Sequence, residues 1–169
     1  MSKDRNKFRR LLCLTGVPAM VFYILHDFIG GLHYPGYDSL SQTISDLTAV
    51  SAPSYVIASG LTAVYGLFGS LFCTIVTLIV YENAVGNRLL RLGVYLFTIM
   101  SWISAVGFSL FPLSQPGPSA NTFPDIMHIF AVTFSSVLLT IASLILIIIG
   151  GIKARPLTIG LPLIAGIAL

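Results

Sequence analysis

Charged side chains are scarce in this chain, since Asp, Glu, Lys and Arg make up only 9% of its 169 residues. A soluble domain carries about 25% charged residues, so too few remain here to cover a surface that faces water. Hydrophobic residues reach 56%, and the mean hydropathy is +0.93. The composition therefore excludes an ordinary soluble domain and predicts an integral membrane protein.

Cysteine is also rare, and neither Cys13 nor Cys73 belongs to a CxxC pair or a secreted disulfide framework. Both lie in apolar runs and are interpreted as buried thiols. The net charge is +3, but the basic residues are divided among short segments and form no basic face. We therefore expect no nucleic-acid partner. HExxH, P-loop and GxSxG motifs are absent, so the enzyme classes that carry them have no support.

Four apolar runs are long enough to cross a membrane as helices, which takes about 20 residues. They cover residues 11–31, 55–80, 89–111 and 127–150. We predict an all-α transmembrane helical bundle that forms one domain over 1–169. Pro18 predicts a kink in the first span, and small residues such as Gly66 and Ala105 at four-residue spacing predict close helix contacts.

A fifth apolar run covers residues 156–169 and would end inside the bilayer, where a terminal carboxylate is costly. We therefore predict four complete spans plus a partial fifth, in a chain that is C-terminally incomplete. We therefore expect the native reading frame to continue past Leu169.

Basic residues predict the orientation of the bundle. They precede the first span, connect the second to the third (Arg88, Arg91) and follow the fourth (Lys153, Arg155). With alternating helices, all of them lie on one side, which predicts a protein of the cytoplasmic membrane with a cytoplasmic N-terminus. The histidines and most carboxylates collect at the opposite, outer face: His26, Asp27, His33, Asp38, Asp46, Asp125 and His128.

The first outer loop carries Leu40, Ile44 and Leu47 at helical spacing. Ser39 with Gln42 fits a capping box, so we predict a short amphipathic helix over about 39–48 at the membrane interface. Its polar face lacks the Lys and Arg that interfacial helices usually carry. That face is either simply solvated or part of a site, and it presents Asp38, Ser41, Gln42 and Ser45.

The outer face predicts a polar site. His26 lies about a turn inside the first span, where ionisable residues are functional candidates, although a buried hydrogen-bonded histidine accounts for it equally well. Asp125 and His128 share one face of the fourth helix, and Asp125 also suits the role of helix cap. We predict that His26 and His128 bind a divalent metal, with haem as the weaker alternative. Ligand binding is assigned to Asp38, Gln42 and Asp125, and catalysis to Ser41, Ser45 and Asp46.

The run Tyr37-Asp38-x-x-Ser41-Gln42-x-x-Ser45-Asp46-Leu47, placed after the first span, resembles a family of prokaryotic multi-pass membrane proteins known as domain of unknown function 998. Phe111-Pro112 followed by Asp125-x-x-His128 is similar to the family's second signature. The resemblance covers nearly the whole chain and implies about six helices. It implies no activity, but it marks Ser41, Gln42, Ser45 and His128 as positions to test.

Three classes of function fit these features. The first is an enzyme or binding protein for a lipid or lipid-linked substrate, assisted by a metal where one binds. The second is an accessory or structural membrane protein without catalysis, and the third is a small-molecule transporter. Transporters place polar groups near the midplane, whereas here they lie near the headgroups, which favours the first class. Membrane lipids are the expected partners, and the oligomeric state is left open.

Overall fold

The computed structural model describes residues 12–117 and 120–153. Within these ranges the chain is helical and contains no β-strand, which confirms the predicted all-α class. The long helices are α1 (Gly16–Leu32), α2 (Tyr55–Glu82), α3 (Arg88–Leu110) and α4 (Phe123–Lys153). The predicted fifth run over 156–169 and the basic residues that precede the first span lie outside the described residues.

Three of these helices are long and apolar enough to cross a membrane, namely α2, α3 and α4. The shorter α1 has 17 residues, roughly 25 Å at the rise of an α-helix. It begins at Gly16 because the chain turns at Leu14 and Thr15. Pro18 therefore falls in the first turn, where its missing N–H loses no helical hydrogen bond. The kink predicted at Pro18 is therefore not needed, because the helix is interrupted at Leu14 and Thr15 instead. The Leu14 carbonyl accepts a hydrogen bond from the Val17 N–H at 3.0 Å.

Helices that follow one another in sequence pack together, so that α1 contacts α2, α2 contacts α3, and α3 contacts α4. Small residues allow the close approach. A Cβ on Gly66 of α2 would lie 3.2 Å from the Cβ of Ala105 on α3, as the small-residue spacing predicts. A Cβ on Gly93 of α3 would lie 2.8 Å from the carbonyl oxygen of Ser143 on α4. Close packing of this kind is a main source of helix association in lipid.

Two loops lie at the end of the bundle where α1 ends and α4 begins, and we call this the capped end. Their described residues are 33–54 in the first loop, and 111–117 and 120–122 in the second. They are joined by a backbone hydrogen bond from the Val50 N–H to the Leu113 carbonyl, at 2.8 Å. Leu113 is buried in a small apolar cluster with Ala49 and other loop residues. The capped end is therefore a packed layer rather than two independent loops.

The first loop contains a 3₁₀ helix over Ile44–Thr48 in place of the predicted amphipathic helix over 39–48. Before it, the Asp38 N–H donates to Gln42 Oε1 at 2.9 Å, and Asp38 Oδ1 accepts from the Leu40 N–H at 3.0 Å. These bonds close a separate turn, because Asp side chains compete with helical hydrogen bonding for nearby backbone groups. Leu40 is consequently 96% exposed.

The cap of the short helix also differs from the predicted one. Thr43 is extended at its N-cap, and the Asp46 carboxylate accepts from the Thr43 N–H at 3.0 Å. The capping pair is therefore Thr43 with Asp46, not Ser39 with Gln42. Leu47 is fully buried, so the short helix still points one apolar residue into the bundle.

The opposite end is formed by a short connection between α2 and α3, and we call it the basic end. Asn87 caps α3, since its Oδ1 accepts from the Leu90 N–H at 3.0 Å. Its Nδ2 donates to the Gly150 carbonyl of α4 at 2.9 Å. The described basic residues lie at this end: Arg88, Arg91 and Lys153.

Candidate functional site

A cavity of ≈ 430 Å³ lies inside the bundle, next to the capped end. Small-molecule sites usually measure about 300–1,000 Å³. Side chains from α1, α2, α3, the 3₁₀ helix and the start of α4 line it. On α1 the lining runs from Gly16 to His26, about 15 Å along the helix axis. The cavity is therefore elongated along the bundle.

The two ends of this cavity differ in chemistry. Away from the capped end it is lined by apolar and aromatic side chains such as Phe72, Phe97 and Met100. Towards the capped end lie His26, His128, and Ser45 and Thr48 of the 3₁₀ helix. The lining is therefore mostly apolar, with imidazole groups towards the capped end.

His128 reaches the cavity from the beginning of α4, and one of its two ring nitrogens is fixed. Its Nδ1 lies 2.8 Å from the carbonyl oxygen of Phe111. Because a carbonyl only accepts, Nδ1 carries the hydrogen, and in the neutral ring Nε2 then holds a lone pair. The residue is 3% exposed, and Nε2 is buried without a hydrogen-bond partner. His128 therefore offers an unused acceptor.

The backbone around His128 is a π-helical segment, Met127–Thr133, within α4. The Thr133 hydroxyl donates to the His128 carbonyl at 2.8 Å. Val132 packs against Gly107 of α3, where a Cβ would lie 2.7 Å from Val132 Cγ2. The ring of Phe108, also on α3, lies 4.8 Å from the imidazole between centroids. Such segments are rare and frequently occur at functional sites, and this one sets His128 against α3.

Two further buried polar atoms around the cavity lack partners, namely His26 Nε2 on α1 and Thr62 Oγ1 on α2. His26 is 5% exposed. By helix position, His26, Thr62 and His128 all lie about 8–11 Å from the capped ends of their helices. An unsatisfied buried polar group costs about 1–3 kcal/mol. Three such groups belong to residues that line one cavity, at similar distances from their helix ends, and are therefore candidates to bind a polar ligand group.

Asp125, which the sequence assigns to ligand binding, forms its hydrogen bonds with groups of the protein itself. Its Oδ1 accepts from the Ser114 N–H at 2.7 Å. Its Oδ2 accepts from the Thr122 N–H at 3.0 Å and from the Thr122 hydroxyl at 2.7 Å. The carboxylate is buried but does not line the cavity. The structure thus gives Asp125 the capping role that the sequence offered as the alternative.

Asp46, which the sequence assigns to catalysis, joins the two loops of the capped end. Its Oδ1 accepts a hydrogen bond from the Gly117 N–H of the other loop at 2.9 Å, while its Oδ2 accepts from the Thr43 N–H. The carboxylate is buried and does not line the cavity. Its neighbour Ser45 does line it. Asp46 therefore positions the segment that carries Ser45 and Thr48.

Asp38, Ser41 and Gln42 form the exposed turn described above and do not line the cavity. The Ser41 hydroxyl donates to Asp38 Oδ2 at 2.8 Å. The Leu40 N–H and the Ser41 hydroxyl together hold the pKa of Asp38 below its ordinary value, since both hydrogen bonds favour the charged carboxylate. Of the predicted site residues, the structure therefore brings His26, Ser45 and His128 to one cavity.

The sequence did not single out Thr48 or Thr62 as site residues, although both line the cavity. Thr62 belongs to a row of small residues on α2, which predicts a helix contact. A hydroxyl within such a row is the only signal that would have pointed to it. Tyr23 and Tyr65, whose rings lie 5.2 Å apart between centroids, also line the cavity.

The structure also bears on the predicted metal. Across residues 12–117 and 120–153, no group of three or more His, Cys, Asp or Glu side chains could hold a metal ion. The carboxylates that would have completed a ligand set with the histidines are hydrogen-bonded within the loops. A metal or haem held by His26 and His128 thus remains a sequence prediction without a third ligand of these types.

The hydrogen bonds of the capped end account for the spacing of the second motif. The Phe111 carbonyl binds the His128 ring, and the Ser114 N–H binds Asp125. The turn after α3 and the first turn of α4 therefore hold each other. A comparison with family sequence patterns matches residues 17–169 to the proteins of unknown function (DUF998).

The chain belongs to the DUF998 family. The resemblance drawn from its two motifs is thereby confirmed. No curated protein and no solved structure matches this DUF998 chain. Inferences about its function therefore rest on the cavity and on the physical chemistry of the residues around it.

Proposed function

We propose that this DUF998 protein is a multi-pass protein of the cytoplasmic membrane that binds a lipid or lipid-linked molecule within its helical bundle. The apolar chain of the ligand lies along the cavity, and its polar group lies at His26, His128 and Ser45. One observation carries the proposal. Two imidazoles with buried, unpartnered Nε2 atoms line one end of a cavity whose lining is mostly apolar.

The shape of the cavity supports an amphiphilic ligand over a small polar one. Its lining extends about 15 Å along α1 and is mostly apolar, so a small hydrophilic molecule would leave most of it unfilled. Met20, Tyr23 and Ile24 of α1 line the cavity and are each about half exposed on the bundle surface. A lipid can therefore enter the cavity sideways from the bilayer, past these described residues of α1.

The depth of the polar atoms disfavours the transporter alternative. Thr62 is the eighth of the 28 residues of α2, so it lies nearer the capped end than the middle of the helix. Transporters usually bind their substrates near the bilayer midplane. A polar end close to the capped loops instead suits the headgroup region.

A cavity-filling substitution tests the proposal. Gly69 lines the cavity, and a Cβ there would meet no atom closer than 3.8 Å, so Gly69→Leu fills the space without displacing backbone. Gly60, on the same helix, faces open space and lies outside the lining, so Gly60→Leu is the matched control. After purification in a mild detergent, we expect lipid bound to the wild type and to Gly60→Leu, with at least a fivefold lower amount on Gly69→Leu. Equal lipid on all three proteins would refute the proposal.

The orientation is tested separately. The basic end carries Arg88, Arg91 and Lys153, and cytoplasmic loops are enriched in such residues, which supports an outward-facing capped end. Single cysteines at the exposed Ser39 and Asn83, in a chain with Cys13 and Cys73 replaced by Ala, are treated with an impermeant maleimide on intact cells. We expect label at position 39 and, before permeabilisation, none at position 83. The reverse pattern would place the capped end in the cytoplasm.

A further inference from the structure

We propose that the ligand's polar group is an uncharged hydroxyl, so that the cavity takes a neutral long-chain alcohol rather than a phospholipid headgroup. The inference rests on the proposed function and adds the chemical class of the ligand. It follows from the charge of the cavity and from the hydrogen-bonding capacity of the three unpartnered atoms.

The cavity lining contains no charged side chain among the described residues, since Lys, Arg, Asp and Glu are all absent from it. Its polar groups are imidazoles and hydroxyls, including His26, Ser45, Thr62 and His128. A buried phosphate or ammonium is stable only when an opposite charge or a dense set of hydrogen bonds compensates for lost water. The lining supplies no such charge, so it suits a neutral polar group.

The surroundings of the polar end also disfavour an anion. Four carboxylates lie at or near the capped end: Asp27, Asp38, Asp46 and Asp125. The described Lys and Arg residues all lie at the basic end, at the far side of α2, whose 28 residues measure about 42 Å. Exposed charges are largely screened beyond about 8 Å at physiological salt. A phosphate at the polar end would thus lie near the carboxylates of the capped end and, among the described residues, far from every cation.

The three unpartnered atoms match what a hydroxyl group offers, which is one donor and two acceptor lone pairs. His128 Nε2 is an acceptor, because its Nδ1 donates to Phe111. Thr62 Oγ1 can donate, and no bond to Nε2 fixes the tautomer of His26, so its Nε2–H can donate as well. An ether or ester oxygen would leave His128 without a donor. An alcohol supplies both functions, an O–H for His128 and an oxygen for a donor such as Thr62 or His26.

Photocrosslinking tests this inference with one probe and a set of competitors. The probe is a 12-carbon primary alcohol with a diazirine in mid-chain, added to the purified full chain in phosphatidylcholine nanodiscs. Its crosslinks are mapped by mass spectrometry. We expect label on cavity residues such as Met20 and Met100. Unlabelled 1-dodecanol, dodecyl methyl ether, dodecyl phosphate and dodecylamine then compete for that label, so only the polar group differs. 1,2-Dioctanoylglycerol reports whether a two-chain alcohol is also taken.

We expect 1-dodecanol to compete at least tenfold better than the ether, the phosphate or the amine. Equal or better competition by any of those three would overturn the hydroxyl inference while leaving lipid binding in the cavity intact. Absence of probe from the cavity residues would instead overturn the proposed function itself. The two failures are therefore distinguishable.

Variants at position 128 separate the acceptor atom from the positioning bond. In His128→Asn the amide nitrogen can replace Nδ1 and donate to Phe111, but Nε2 is lost. We expect this variant to fold and to reduce the preference for alcohol over ether to within twofold. Thr62→Val keeps the shape and removes a hydroxyl for which no partner is seen, and we expect a roughly threefold loss of preference. His33→Ala is the control, since His33 is exposed and outside the lining. An unchanged preference in both His128→Asn and Thr62→Val would overturn the inference.

Discussion

The loop layer of the capped end and the cavity beside it differ in whether their buried polar groups have hydrogen-bond partners. In the loop layer, the carboxylates of Asp46 and Asp125 accept hydrogen bonds at both oxygens. In the cavity, His26, Thr62 and His128 each retain a buried atom without a partner. Both sets are polar, buried and close to the same end of the bundle.

This difference separates structural residues from the proposed ligand-binding residues more clearly than residue type does. Carboxylates and histidines are equally plausible site residues in a membrane protein. A buried group whose hydrogen bonds are all made within the protein stabilises the fold, whereas one that is left unpaired destabilises the free protein unless something binds it. The contrast therefore predicts opposite effects of substitution in the two regions.

Asp46→Ala should have the largest effect on stability. It removes two hydrogen bonds to a buried carboxylate and leaves the backbone N–H groups of Thr43 and Gly117 unpaired. We expect a loss of about 3 kcal/mol in the free energy of unfolding, measured by denaturant titration in detergent. Asp46→Asn retains one acceptor oxygen and should lose less. A wild-type stability for Asp46→Ala would abolish the distinction between the two regions.

His26→Leu should have a smaller effect of the opposite sign. Leu fills similar space and removes a buried Nε2 that has no partner, so the lipid-free protein should gain up to about 1 kcal/mol or stay unchanged. The same variant should bind less lipid than wild type in the purified protein. A loss of more than about 1 kcal/mol in the lipid-free state would show that His26 has a structural partner.

Ser41→Ala should have the smallest effect, because the turn it belongs to is exposed and lies outside the cavity lining. The melting temperature and lipid binding should stay at wild-type values, while the pKa of Asp38 rises towards its ordinary value as one of its hydrogen bonds is lost. NMR titration of the carboxyl carbon would measure this shift. Loss of lipid binding in this variant would move the site to the exposed turn.

The lowered pKa of Asp38 also sets the sign of its pH dependence. A carboxyl group with a depressed folded-state pKa stabilises the fold above its ordinary pKa, and this contribution disappears as the pH falls through the folded-state value. In Ser41→Ala this contribution should be smaller and should be fully lost at a higher pH, because the folded-state pKa then lies closer to the ordinary value. The change should be small, since the group is exposed to solvent.

The helices that are long and apolar enough to cross a membrane were predictable, because a membrane span requires a certain length and an apolar composition. The predicted spans 55–80, 89–111 and 127–150 correspond to α2, α3 and α4. The start of α1 was less well predicted, because the break at Leu14 and Thr15 depends on local hydrogen bonds within an apolar run.

The candidate site was predictable in part. His26, Ser45 and His128 were singled out from their polarity and position, and the structure brings them to one cavity. The sequence placed Asp46 and Asp125 in the same site because it gave no information on which groups their oxygens contact. The helix predicted in the first loop is shorter than expected, because Asp38 and Gln42 close a separate turn where the apolar spacing predicts its first residues.

The sequence alone determined that this is an all-α chain with membrane-length helices and a group of polar residues beside one end of them. These properties follow from composition and from periodicity along the chain, which are local. Only the tertiary structure decided which buried polar atoms have partners, since those partners come from residues such as Phe111 and Gly117, distant in sequence from His128 and Asp46. Hydrogen bonding depends on distance and direction in space, and this is why the sequence could not show that three buried atoms beside one cavity lack partners.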